Sequence, residues 1–72
     1  MNVYFVNSKN KERVIATNRN SFEEVMASIH TFLEGHNYKS YYTRTWCEDG
    51  KTWFDVGSHT EFFYCDGEVH AE

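Results

Sequence analysis

The sequence predicts a small α+β domain, an antiparallel sheet carrying one helix on one face, in the order β-β-α-β-β-β. Three observations predict it. Two runs of β-branched and aromatic residues flank a polar tetrapeptide near the start of the chain, and one later stretch repeats its apolar positions with the helical period. Two turn signals then divide residues 40 to 65 into three strands of a meander. Seventy-two residues allow one domain, 1–72, with no second core and no linker.

The first hairpin joins residues 2 to 7 (Asn-Val-Tyr-Phe-Val-Asn) to residues 12 to 17 (Glu-Arg-Val-Ile-Ala-Thr) through the polar turn Ser8-Lys9-Asn10-Lys11. The helix begins at the capping box Ser21-Phe22-Glu23-Glu24, where the Ser21 hydroxyl accepts from the Glu24 amide and the Glu24 carboxylate reaches back. Phe22, Val25, Met26, Ile29, Phe32 and Leu33 form one apolar stripe, a core face, and Gly35 suits the left-handed position past the last turn.

In the meander, Asp49-Gly50 reads as a two-residue hairpin loop, which sets Glu48 against Lys51, Trp46 against Trp53 and Arg44 against Asp55. A three-residue loop at Gly57-Ser58-His59 would set Thr60 against Val56, Glu61 against Asp55, Phe62 against Phe54 and Phe63 against Trp53. One face then collects Thr43, Thr45, Thr52, Phe54, Val56, Phe62 and Tyr64, and the other Tyr42, Arg44, Trp46, Trp53, Asp55, Glu61 and Phe63. One helix covers one face. The aromatic ladder Trp46–Trp53–Phe63, beside the mixed charges of Arg44, Asp55 and Glu61, is the face expected to stay open, because those charges would be costly beneath a helix; the alternative is that the helix packs on the rings and leaves the threonine face wet.

Composition narrows the function classes. Two Trp, five Tyr and six Phe are many large rings for so small a core, so part of this aromatic surface is expected to meet a partner. Seven Lys plus Arg against eleven Asp plus Glu, a net charge of −4 with no basic block, disfavour non-specific binding to nucleic acid. The N-terminus lacks a basic region followed by a long apolar stretch, and no window approaches a membrane span, so a cytoplasmic location is expected. Cys47 and Cys65 are read as free thiols and small apolar fillers, since the register separates them by a whole strand.

Catalytic and metal chemistry find little footing. Gly57-Ser58-His59-Thr60, with Asp55 upstream, offers a nucleophile and a base, but neighbouring residues on a short loop diverge and no cleft excludes water. The plainer reading is a turn, with Gly57 at positive φ and Ser58 and Thr60 bonding its amides; such a turn could also hold a phosphate, with His59 as a further donor. Cys47, Cys65, His30, His36, His59 and His70 show neither C-x-x-C nor H-x-x-x-H spacing, and the three histidines outside the turn are read as solvated. No enzyme, metal or cofactor is expected.

The C-terminal half, Tyr41-Tyr42-Thr43-Arg44-Thr45-Trp46, then Asp49-Gly50-Lys51, then Phe54-Asp55-Val56-Gly57-Ser58-His59-Thr60-Glu61-Phe62-Phe63-Tyr64, resembles small accessory proteins of phages and prophages of Gram-positive bacteria. In those, an Asp-aromatic-or-Val-Gly-Ser stretch leads into an aromatic strand. The resemblance implies a non-catalytic blocker in host takeover or counter-defence, acting in the host cytoplasm. Two routes are open. In the first, which the aromatic excess favours, a homo-oligomer sequesters a small nucleotide immune signal, with Tyr42, Trp46, Trp53 and Phe63 stacking on bases and Arg44 or Ser58-His59-Thr60 meeting phosphate. In the second, the aromatic ladder is a hot spot and Asp55, Glu61, Glu48 and Asp49 complement a basic host protein such as a CRISPR effector.

Overall fold

The computed structural model describes residues 1–7, 9–37, 43–57 and 61–70. Its elements are β1 (Val3–Val6), β2 (Glu12–Ala16), α1 (Phe22–Gly35), β3 (Arg44–Glu48), β4 (Lys51–Asp55) and β5 (Phe62–Cys65), the expected β-β-α-β-β-β order. All four strand pairings are antiparallel, and the strand order across the sheet is β2-β1-β5-β4-β3. The last strand therefore lies at the centre, beside the first. Both read as unbroken apolar runs, Val-Tyr-Phe-Val and Phe-Phe-Tyr-Cys, so each presents apolar or aromatic side chains to both faces of the sheet.

Turn chemistry fixes the hairpins. The Asn7 side-chain oxygen accepts from the amides of Lys9 (2.9 Å) and Lys11 (3.1 Å), and Asn10 takes φ 58°, which Asn tolerates better than most residues. Between β3 and β4, Asp49 and Gly50 stand at φ 54° and 74°, the two left-handed residues of a type I′ loop whose twist matches the strands it joins. Between β1 and β2, Val3 faces Ala16 while Tyr4 faces Val14, so Ile15 is an extra residue and β2 is bulged.

The helix starts as expected, the Ser21 hydroxyl accepting from the Glu24 amide at 3.2 Å. The Glu24 carboxylate, however, reaches back one residue further, to the amide of Asn20 at 3.3 Å. Gly35 is not the left-handed residue: α1 runs through it, His36 caps it at φ −110°, and Asn37 turns the chain at φ 59°. Asn can adopt that conformation with little steric penalty, so the helix gains one residue over the expectation.

Val25, Ile29 and Leu33 are buried, with Phe22, Met26 and Phe32 packed around them, so the whole stripe faces the sheet. Opposite it lie Val3, Phe54, Phe63 and Cys65, joined by Val56 and Val69. The Phe32 ring meets Phe5 and Phe63 at centroid distances of 4.8 and 5.7 Å, and Phe22 meets Phe54 at 5.8 Å. Beyond β5 the chain folds back over β4. There the buried Thr52 hydroxyl donates to the Gly67 carbonyl (2.8 Å) and accepts from the Val69 amide (2.9 Å).

Candidate functional site

The β3–β4 register is the expected one: Arg44 faces Asp55, Trp46 faces Trp53, and Glu48 faces Lys51. The β4–β5 register is not. Phe63 faces Phe54 and Tyr64 faces Trp53, one residue away from the pairing that a three-residue loop would give. A shift of one residue exchanges the two faces of the strand, so Phe63 lies under the helix, fully buried, and Tyr64 takes its place on the open face. The reason is polar satisfaction. Tyr64 must place its hydroxyl near an acceptor and finds the Glu12 carboxylate at 3.0 Å across β1, whereas Phe63 has nothing to satisfy and packs against Phe5 and Phe32. The same shift moves Glu61 off the row opposite Asp55, and places Phe62 with Tyr64 on the open face rather than beneath the helix.

The result is a longer row than the sequence suggests. Tyr4 faces Tyr64, Tyr64 faces Trp53, and Trp53 faces Trp46, so four rings cross four adjacent strands on the face away from α1. Tyr4 and Tyr64 stack at 4.7 Å with their planes 15° apart; Tyr64 and Trp53 lie at 4.8 Å; Trp53 and Trp46 are near-parallel, 11° apart, at 6.4 Å. Val14, 47% exposed, continues the row onto β2 as its partner across from Tyr4. Two cations lie on the rings: Lys51 Nζ is 4.7 Å from the Tyr64 centroid and Arg44 Cζ is 5.6 Å from that of Trp46.

The rings cover one another unequally along the row. Tyr64 itself is almost wholly covered, and Trp46, Trp53 and Tyr4 are part-buried. Burial, and then the hydrogen bond to the Glu12 carboxylate, hold the Tyr64 hydroxyl protonated and push its pKa up to about 12. Arg44 and Asp55 form an ion pair at 3.0 Å whose arginine is 68% exposed and whose aspartate is nearly buried; the Asp55 carboxylate also accepts from the Gly57 amide at 2.9 Å. Gly57 stands at φ 91°, as the turn reading requires.

Two shallow hollows flank the tryptophans: one of about 270 Å³ against Arg44, Thr45 and Trp46, the other of about 210 Å³ between Trp46, Glu48, Trp53 and Phe62. A larger groove, about 350 Å³, runs on the helix side between α1 and β2, past Ile15, Arg19, Glu24 and Phe32, away from the aromatic row.

Of the residues expected to bind, Arg44, Trp46, Trp53 and Asp55 share the open face, Phe63 does not, and Tyr42, Ser58, His59 and Thr60 lie outside the described residues. Sequence reasoning missed Tyr4, Tyr64 and Lys51. Their signal was the unbroken apolar character of β1 and β5, which marks adjacent central strands and hence a row running past β4. Cys47 and Cys65 are free thiols on either side of Thr52, as the spacing implied; Cys65 is a buried filler, but Cys47 is exposed on the edge strand. His30 and His70 are exposed, and the His36 ring stacks on Phe32 at 4.1 Å. Among the described residues no three His, Cys, Asp or Glu side chains converge as metal ligands, and no helix is long and apolar enough to cross a membrane.

Comparison of the chain with family models, with curated proteins and with solved structures returns no match.

Proposed function

We propose that the protein is a non-catalytic binding module that docks its helix-free face onto a partner protein with a basic surface, a host defence complex being the kind of partner its sequence resemblance implies. The observation that carries this reading is the continuous row Tyr4–Tyr64–Trp53–Trp46. Stacked rings standing on a five-stranded sheet make a rigid apolar ridge that loses little side-chain entropy on binding. Glu12, Glu48 and Asp55 border it on the same face as Arg44 and Lys51, one carboxylate in excess, and this with the net charge of −4 favours a cationic partner over an anionic one.

Sequestration of a small nucleotide draws support from one feature, the Arg44 guanidinium over the Trp46 ring beside the 270 Å³ hollow, where a base and a phosphate would find a stacking face and a cation together. It ranks second because a net charge of −4 repels an anionic ligand at long range. Affinity capture of isolated host defence complexes, repeated over a salt series with the wild type and Trp53→Ala, tests the first reading. It predicts a salt-sensitive complex that Trp53→Ala loses. Retention by both proteins alike would overturn it, and heat released on titration with a cyclic nucleotide, in the absence of any protein complex, would replace it with the second.

A further inference from the structure

The sheet ends in two edges with opposite character. Strand β2 is bulged at Ile15, and a self-pairing centred on Val14 would set Glu12 against Ala16 and Arg13 against Ile15, with no charge matched. Strand β3 is regular over all five residues, pairs only with β4 among the described residues, and has the sequence Arg44-Thr45-Trp46-Cys47-Glu48. Laid antiparallel on a second copy of itself about Trp46, it matches at every position: Arg44 meets the other chain's Glu48, Glu48 its Arg44, and Trp46 its Trp46, all on the open face. We propose that β3 pairs with β3 of a second copy, joining two sheets into one of ten strands and two aromatic rows into one of eight rings.

Backbone geometry permits this register. Residues flanking a two-residue hairpin loop exchange both hydrogen bonds, so Glu48, Trp46 and Arg44 direct their amides and carbonyls toward β4. Thr45 and Cys47 therefore direct theirs outward, and in the self-pairing each exchanges two bonds with the other on the second chain. Trp46 then occupies a position without backbone bonds, where facing side chains come closest. On the helix side, the side chains that β3 itself presents, Thr45 and Cys47, are exposed and small, which suits the approach of a second strand. The Arg44 guanidinium, already bonded to Asp55 but 68% exposed, has room for a second carboxylate. Five residues a side and two indoles make a modest interface, so the dimer is concentration-dependent.

The pairing stands apart from the partner reading, since it concerns the sheet edge and not the ridge. Sedimentation equilibrium of the intact chain over a concentration series tests it, with circular dichroism as the check on folding. The wild type passes from the 8.6 kDa monomer to twice that mass. Thr45→Pro removes one outward amide and none that bonds β4, and raises the dissociation constant at least about tenfold. Arg44→Glu and Glu48→Arg are each monomeric, because each sets like charges together at both ends of the interface, and a 1:1 mixture restores the dimer by matching every charge. This mixture decides the matter if Thr45→Pro does not fold. A monomeric wild type at every concentration, or a dimer that the charge reversals leave intact, overturns the proposal.

Discussion

Trp53 faces Tyr64 across β4 and β5, their ring centroids 4.8 Å apart, and this pair joins the tyrosine half of the aromatic row to the tryptophan half. Without it the open face would hold two separate couples, Tyr4 with Tyr64 and Trp46 with Trp53. With it, a ridge runs unbroken from β1 to β3.

Trp53 is the part-buried link between the two halves, in contact with a ring on each side. Trp53→Ala strips one stacking partner from each side and leaves a gap in a part-buried site, which predicts a loss of about 2 kcal/mol, less than the ~3–5 kcal/mol of a fully buried ring. Urea unfolding measures it. Trp46→Ala, on the edge strand with one ring neighbour, loses about 1 kcal/mol.

The Tyr64 hydroxyl gives the fold an alkaline limit. Its pKa stands near 12 in the folded chain against about 10 when unfolded, so the native state holds its proton more tightly. That contribution is complete below pH about 10 and is lost as the pH rises through about 12. Titration by ultraviolet absorbance follows the late ionisation of Tyr64, and Tyr64→Phe removes that late step together with the decline in stability between those two values. At neutral pH the same substitution costs about 1 kcal/mol, for the hydrogen bond that Glu12 loses.

Thr52 ties the C-terminal segment to the sheet through a single buried hydroxyl that donates to Gly67 and accepts from Val69. Thr52→Val keeps the shape but leaves a buried amide and a carbonyl without that partner, which predicts a loss of about 2 kcal/mol. Hydrogen exchange at the Val69 amide rises with it, and Thr52→Ser restores most of the protection.

Asp55 holds the end of β4 by accepting from both Arg44 and the Gly57 amide. Asp55→Ala leaves the Gly57 amide without its acceptor and costs about 2 kcal/mol in thermal or urea unfolding. Gly57→Ala is strained on its own account, since φ 91° lies outside what an L side chain adopts readily, and it costs about 1 kcal/mol or more.

Local signals in the sequence carry the parts of the fold made locally. Ser21 with Glu24 marks the helix start, the stripe from Phe22 to Leu33 marks its buried face, and Asp49-Gly50 sets the β3–β4 register to the residue. What local signals could not convey is long-range. The pairing of β1 with β5 joins strands at opposite ends of the chain, and nothing in the turn residues encodes it. The β4–β5 register hung on a loop of assumed length, and one residue more was enough to send Phe63 inward and Tyr64 outward. The difference between a phenyl ring and a phenol was in the sequence, but its consequence needed Glu12, far along the chain, as the acceptor. The open aromatic face was thus anticipated in kind, with Arg44, Trp46, Trp53 and Asp55 on it, and misdrawn where it crosses into β5.

A nuclear Overhauser spectrum of the free protein reads that crossing directly. Trp53 and Tyr64 occupy a position without backbone bonds between β4 and β5, where the two Hα atoms of an antiparallel pair come closest. A strong Hα–Hα cross-peak between Trp53 and Tyr64, with ring contacts from Tyr64 to Tyr4, is the result expected. A cross-peak between Trp53 and Phe63 in its place would put Tyr64 beneath the helix, break the ridge in two and contradict the binding face.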